Sequence, residues 1–225
     1  QITAQPHEIQ HQTPPAMNRQ IEDTHGLLGT QFDLYQIHSA TSESGVLDSE
    51  AVLSRLAELR ETGLAIGLSL SGPAQSETLL RAMEIEFGGR PLFAAVQATW
   101  NLLAQEGREA LAQAHEAGMG IIIKEALANG RLTERNQDPA VSQKRKHLEY
   151  VAQSLGTTSD AIALAVVLSQ PWVDVALSGA ANFDQITSNT KAMEIELVSW
   201  LDELVDTLRE NPKEYWQIRS ALDWN

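Results

Sequence analysis

Two hydrophobic rhythms alternate along the chain. Short, nearly continuous apolar runs occur at 32–38 ("FDLYQIH"), 64–72 ("LAIGLSLSG"), 92–100 ("LFAAVQATW"), 119–126 ("MGIIIKEA") and 173–179 ("VDVALSG"). Each has the length and composition of a strand buried on both faces. Between them, apolar residues recur every three or four positions, which predicts helices. One covers 16–28. A second starts at Asp48 or Ser49, carries Val52, Leu53, Leu56 and Leu59 on one face, and ends at Gly63. Others are predicted over 75–86, 108–118 and 140–155, and in "SDAIALAVVLSQ", stopped by Pro171. Asn182 with Gln185 three residues on resembles a capping box opening another helix. The tail, 197–222, predicts two more helices, with Trp200, Trp216 and Trp224 in or beside them. The N-terminal "QITAQPHEIQHQTPPAMNRQIED" and the polar "NGRLTERNQDPA" read as connections.

Five strands, each followed by a helical stretch, are the mark of βα units and a parallel sheet. Such a sheet could be open and doubly wound, or it could be part of an eight-stranded barrel. No G-x-G-x-x-G follows the first strand, so the dinucleotide fingerprint of the open fold is missing. Polar side chains instead end the strands in turn: His38, Ser69, Gln97, Lys124 and Ser178. Parallel barrels build their sites from residues at those ends. A lone histidine at a strand end is most simply a polar cap, but the repeat of the pattern on five strands favours a site.

Composition narrows the chemistry. The formal net charge of −14 repels a phosphate backbone and argues against nucleic acid as a partner. It leaves room for one anionic cofactor held by local N–H groups. No apolar run approaches the ~18 residues of a membrane span, and no basic-then-apolar leader opens the chain, so neither a membrane partner nor a secretory signal is expected. Without a cysteine there is no disulfide and no thiolate metal site, which leans toward the cytoplasm; a plastid in a plant source stays compatible. His7, His11 and His25 lack a regular ligand spacing and read as surface residues, not a metal site.

"FDLYQIHSAT", "IGLSLSGP", "VQATWNLL", "KEALANGRLT" and "VALSGAANFDQITSN", in this order and at these separations, resemble the aldo/keto reductase family over about 16–196. The tail "ENPKEYWQIRSALDWN" is similar to that of a subgroup from plants and photosynthetic bacteria. The resemblance implies a (β/α)8 TIM barrel of which this chain holds only the C-terminal five or so βα units. It reads as one partial barrel domain over 1–225, with a helical extension from about 197. It also implies an oxidoreductase that passes a hydride from a nicotinamide cofactor, NADPH in most relatives, to an aldehyde or ketone, a small-molecule carbonyl substrate.

On the resemblance, His38 matches the catalytic histidine. A neutral imidazole N–H aimed at the substrate oxygen stabilises the developing alkoxide and fixes its angle to the hydride. Ser69 and Gln97 match residues that hold the nicotinamide carboxamide, and a side-chain amide suits this because it donates and accepts together. Where relatives place an asparagine beside the serine, Leu70 stands here. Lys124 occupies the position of an aromatic that stacks on the nicotinamide; a lysine cannot stack, so it either leaves that task elsewhere or pairs with a carboxylate such as Glu125. Glu125, Leu127, Asn129 and Gly130 match the loop over the pyrophosphate. Ser178, Gly179, Ala180 and Asn182 match a phosphate-binding turn and helix N-terminus, and Gln185 and Asn189 match contacts on the adenosine side. Ala180 and Ala181 stand where NADPH-preferring relatives carry a basic residue, which leaves NAD as an alternative cofactor.

The family's aspartate, tyrosine and lysine belong on strands before His38 and match nothing in this chain. Tyr35 sits inside its strand and reads as core. Lys144, Arg145 and Lys146 read as a solvated helix face. The parent is therefore expected to carry three more βα units, since a barrel lacking them would expose two strand edges and half its lumen. Two other readings compete: a cofactor-binding or regulatory relative without turnover, and a barrel aldolase or isomerase using Lys124 as a Schiff-base amine. Substrate identity and oligomeric state are not encoded in these motifs.

Overall fold

The computed structural model describes residues 13–134, 136, 142–196 and 201–222. His7, His11, Trp200 and Trp224 lie outside the described residues, as does the start of the helix expected from 140. Helix α1 (Pro14–Leu28) begins two residues earlier than the periodicity predicts. Two prolines fill its first turn, where a missing N–H costs nothing and φ is already helical.

The main sheet contains β1 (Leu34–Ala40), β2 (Ala65–Leu70), β5 (Ala95–Thr99), β6 (Gly120–Lys124) and β7 (Val175–Ala176). They lie side by side in chain order, and all four pairings are parallel. That order decides between the two architectures. A doubly wound sheet reverses its strand order at a switch point. A barrel never does, and right-handed crossovers then place every helix on one face. The chain thus forms consecutive βα units of a (β/α)8 barrel, the partial barrel expected.

The helices between strands are α2 (Glu50–Glu61), α3 (Gln75–Met83), α4 (Arg108–Glu116), α5 (Ser142–Ser154) and α6 (Ser159–Leu168); α7 (Phe183–Thr190) follows β7. Ser49 caps α2 by accepting the Val52 N–H at 3.4 Å, and Val52, Leu53, Leu56 and Leu59 are all buried. Each such side chain contributes roughly 1.5–3 kcal/mol by leaving water. They meet the outward row of the sheet, Ile37, Ile66, Leu68, Val96, Ala98, Ile121 and Ile123. Tyr35 joins this outward row as partly buried core, and desolvation raises its pKa. Helix α6 is apolar almost all round and correspondingly buried from Ala161 to Val167.

Two features depart from the sequence reading. Residues 86–91 contain a small hairpin, β3 (Glu86–Phe87) with β4 (Arg90–Pro91), that the periodicity does not show. Its signal is Gly88-Gly89, whose positive φ values of 60° and 71° build a tight reversal. Arg60 braces it by donating to the carbonyls of Phe87, Arg90 and Pro91. The last strand is only Val175–Ala176, not 173–179. Just ahead of it, the Asp174 N–H donates to the Ile121 carbonyl at 3.1 Å while its carboxylate accepts the Ile121 N–H at 2.7 Å.

Candidate active site at the carboxyl ends of the strands

Side chains alternate across a strand, so the face opposite the helices carries a second row. On β1 that row is Leu34, Gln36 and His38; on β2 it includes Gly67 and Ser69; on β5, Ala95, Gln97 and Thr99; on β6, Gly120, Ile122 and Lys124. The register fixes their neighbours. Gln36 lies beside Gly67, Ser69 beside Gln97, Gln97 beside Ile122 and Thr99 beside Lys124. Ile37 pairs with Leu68, so His38 falls one step on, at the level of Ser69.

The β1–β2 ladder breaks directly after His38. Ser39 adopts a left-handed φ of 49°, and its N–H turns to the Ser69 Oγ at 3.4 Å. His38 is thereby presented at the strand tip, solvent-exposed, while Ser69 is buried. By strand alternation and register, His38 and Gln97 belong to one face at about one level, two strands apart. Below them the wall is narrow. A Cβ on Gly67 would come within 2.9 Å of the Ala95 carbonyl and 3.1 Å of the Gln36 side chain.

Two buried polar atoms in this row, Gln36 Oε1 and Thr99 Oγ1, have no hydrogen-bond partner among the described residues. Such atoms are costly in a core but suit a surface that receives a polar ligand. Thr99 itself is rigid. The buried Gln75 donates from Nε2 to the Thr99 carbonyl at 2.8 Å and accepts the Thr99 N–H at 3.1 Å, closing the end of β5.

Beyond β6 the backbone is strained. Glu125, Ala128 and Asn129 have φ values of 54°, 49° and 54°, each costing about 1–2 kcal/mol for a residue with a Cβ. Gly130 follows at 86° without that cost. This is the loop matched to the pyrophosphate cover; within it Leu127 is half-buried and Asn129 exposed. Glu125, one candidate partner for Lys124, gives its carboxylate to the C-terminal extension. Its Oε1 accepts from Arg219 Nε and Nη2 at 3.1 and 2.7 Å, and its Oε2 lies 3.5 Å from the Tyr215 hydroxyl.

That extension comprises α8 (Leu201–Leu208) and α9 (Pro212–Ala221), the two helices expected of the tail. Asn101, fully buried, ties the layers together. Its Nδ2 donates to the Glu125 carbonyl at 2.9 Å and to Tyr215 Oη at 3.0 Å, and its Oδ1 accepts the N–H groups of Leu103 and Ala104. Burial, with the Glu125 carboxylate beside it, pushes the Tyr215 hydroxyl well above the usual tyrosine range. Lys144 corrects the expectation of a solvated face. Its Nζ donates to the carbonyls of Leu208 and Arg209 at 2.8 and 3.0 Å, because α5 packs on the end of α8 and supplies the charge that a helix C-terminus favours. Desolvation lowers its pKa, with Glu210 opposing.

At the last strand, Ser178 and Gly179 turn the chain into α7. Ser178 Oγ accepts the Ala180 N–H at 3.3 Å, and Gly179 has a φ of 64°. Asn182 caps the helix by accepting the Gln185 N–H at 3.0 Å, and Gln185 Oε1 reaches back to the Ala181 N–H at 2.6 Å. The Asn182 cap is therefore real, but Gln185 bonds the N–H before the N-cap and not that of Asn182, and the two together occupy N–H groups that the sequence reading left free for phosphate. Asn189 is buried, and its amide, turned to satisfy its surroundings, donates to Asp160 Oδ2 at 2.8 Å and to the Gln185 carbonyl at 3.2 Å. His25 stays apart from the site. It packs on Phe32 with ring centroids 4.9 Å apart, and among the described residues no cluster of metal-ligating side chains occurs.

The sequence reading missed Asn101, Arg131, Glu210, Tyr215 and Arg219, which hold the loop after β6 from behind. What marks them is burial, of Asn101 and Tyr215 and of Arg131, whose guanidinium is bidentate to Glu210 at 2.8 and 3.0 Å, and burial is not visible in a single sequence.

The geometry agrees with comparison to known proteins. The model of the aldo/keto reductase family matches residues 5–208. An uncharacterized oxidoreductase, YqkF of Bacillus subtilis, is 24% identical over 179 residues, covering 72% of this chain and 54% of its own length. The chain thus spans about half of that curated relative. Among solved structures, the holo form of aldo-keto reductase AKR11C1 from Bacillus halodurans superposes with a TM-score of 0.70 at 19% identity, over 90% of this chain and 67% of that one. Its apo form gives 0.67 at 20% identity, over 86% and 68%. With strand order, helix placement and nearly the whole sequence in agreement, this chain belongs to the aldo/keto reductase family.

Proposed function

We propose that the chain carries the cofactor-holding and carbonyl-orienting part of a nicotinamide-dependent reductase of aldehydes or ketones. The observation that carries this is the single row of His38, Ser69 and Gln97 along the carboxyl ends of three adjacent strands. When bound, the nicotinamide supplies the hydride that converts a carbonyl to an alcohol.

The residues fit such a group. Gln97 offers an amide that donates and accepts at once, and Ser69 a hydroxyl beside it. His38, in its neutral form, donates an N–H to the carbonyl oxygen and sets its angle, lowering the barrier by stabilising negative charge as it forms. The proton that completes the alcohol belongs to the family's tyrosine, tuned by an aspartate and a lysine. The resemblance places all three on strands preceding β1. Lys124 brings a cation to the site where relatives stack an aromatic. NADPH is the favoured cofactor on the family pattern, although Ala180 and Ala181 lend the 2′-phosphate no charge. The cytoplasm is the proposed setting.

The test is NADPH oxidation by the full-length protein over a panel of aldehydes and ketones, alongside NADH. Turnover that falls at least about a hundredfold in His38→Ala while cofactor affinity holds supports the assignment. Binding of NADPH without turnover on any carbonyl favours a regulatory relative, a reading that Lys124 in place of an aromatic also suits.

A further inference from the structure

The loop from Glu125 to Arg131 is held at both ends by the C-terminal extension. At its start, Arg219 and Tyr215 of α9 engage the Glu125 carboxylate, and Asn101 joins the Glu125 carbonyl to Tyr215. At its end, Arg131 forms its bidentate pair with Glu210 and places its guanidinium 5.6 Å from the Tyr215 ring. Tyr215 therefore touches the partners of both ends. The extension is itself fixed to the barrel. The Glu210 N–H donates to the Leu103 carbonyl at 2.9 Å, and Gln105 Nε2 donates to the Val205 carbonyl at 2.6 Å.

Between the two anchors lie the left-handed residues Ala128 and Asn129. A strained loop keeps its shape only when its surroundings over-determine it. Here the surroundings are side chains from a segment some 90 residues later in the chain. Arg131 and Tyr215 are almost wholly buried, Glu125 and Glu210 nearly so and Arg219 about three-quarters, so these pairs are largely shielded and directional, unlike exposed ion pairs.

We infer that the C-terminal extension is a clamp on the loop after β6, with Arg219 and Tyr215 at one end and Glu210 at the other acting as positioning residues that hold the loop in its cofactor-receiving shape. This rests on the reading of the loop as the cover of the cofactor's pyrophosphate. The clamp is assigned no contact of its own with substrate or cofactor. It acts by keeping the backbone of Ala126–Gly130 from relaxing.

The test uses the full-length protein and the variants Arg219→Ala, Arg219→Lys and Tyr215→Phe. Amide hydrogen exchange of residues 126–130 is read against that of β5, and NADPH affinity by fluorescence titration. The expected result is exchange about tenfold faster in the loop with β5 unchanged, and an NADPH Kd raised by about the same factor in Arg219→Ala. Arg219→Lys should recover part of both, since it restores the charge but not the fork. Should Arg219→Ala unfold the whole chain, Tyr215→Phe carries the same comparison with a smaller change. Unchanged loop exchange in the folded variants overturns the clamp. Faster exchange with unaltered NADPH affinity overturns the positioning role. Wild-type protein that fails to bind NADPH overturns the preceding functional reading, and loop exchange still decides the clamp.

Discussion

Ser69 and Gln97 pair across the β2–β5 ladder, and the Ser69 hydroxyl also receives the Ser39 N–H where β1 breaks away behind His38. One buried serine thus sets where the strand tip carrying the imidazole turns, while its neighbour presents the amide. The candidate site is a row of adjacent strand ends, each placed by the ladder and not by a loop of its own.

Gln97 is half-buried and its amide lies on the row's open face. In Gln97→Ala the full-length protein should bind NADPH about tenfold more weakly, equivalent to ~1.4 kcal/mol, with its melting temperature nearly unchanged. Fluorescence titration with a parallel thermal melt checks this. An unchanged Kd removes Gln97 from the cofactor site.

Gly67 faces the Ala95 carbonyl, a backbone atom with no freedom to withdraw. Gly67→Ala should therefore push β1 and β2 off β5 and cost about 1–3 kcal/mol. Denaturant unfolding reads the loss directly. A stability equal to wild type would mean the wall is wider than the 2.9 Å approach states.

Gln75 supplies both hydrogen bonds that finish β5. Truncation in Gln75→Ala leaves the Thr99 N–H and carbonyl buried and unpaired, with an expected loss of about 2–4 kcal/mol. Amide exchange at Thr99 should accelerate along with it. If Thr99 stays protected, another donor has replaced the glutamine.

Tyr215 sets a pH dependence with a definite sign. Its folded pKa lies above the ~10 of a free tyrosine, so its contribution is complete below about pH 10 and is lost as pH rises beyond it, when the unfolded chain sheds a proton that the folded chain keeps. Tyr35 is shifted the same way. The melting temperature should fall as pH rises above about 10, and fall less steeply in Tyr215→Phe. Equal slopes in the two proteins would place the Tyr215 hydroxyl in water.

Strand and helix were readable from local rhythm in most places. Val52, Leu53, Leu56 and Leu59 repeat with the helical period and are all buried, and "MGIIIKEA" is the strand Gly120–Lys124 with its isoleucines alternating between faces. Less legible were the ends. Gly88-Gly89 makes a hairpin too short to carry a period, and β7 is only two residues long, preceded by Asp174, whose side chain takes the Ile121 N–H.

By itself, the amino-acid sequence determined the succession of βα units and a polar residue near the carboxyl end of each strand, because hydrophobic period and turn chemistry are properties of neighbouring residues. Tertiary structure alone decided the partners. It set His38 level with Ser69 and Gln97, turned Lys144 from a solvated face onto the end of α8, and brought Arg219 to Glu125. Such meetings join residues up to 94 positions apart, and no local pattern encodes them; they follow only once the strands are in register and the extension has packed against the loops.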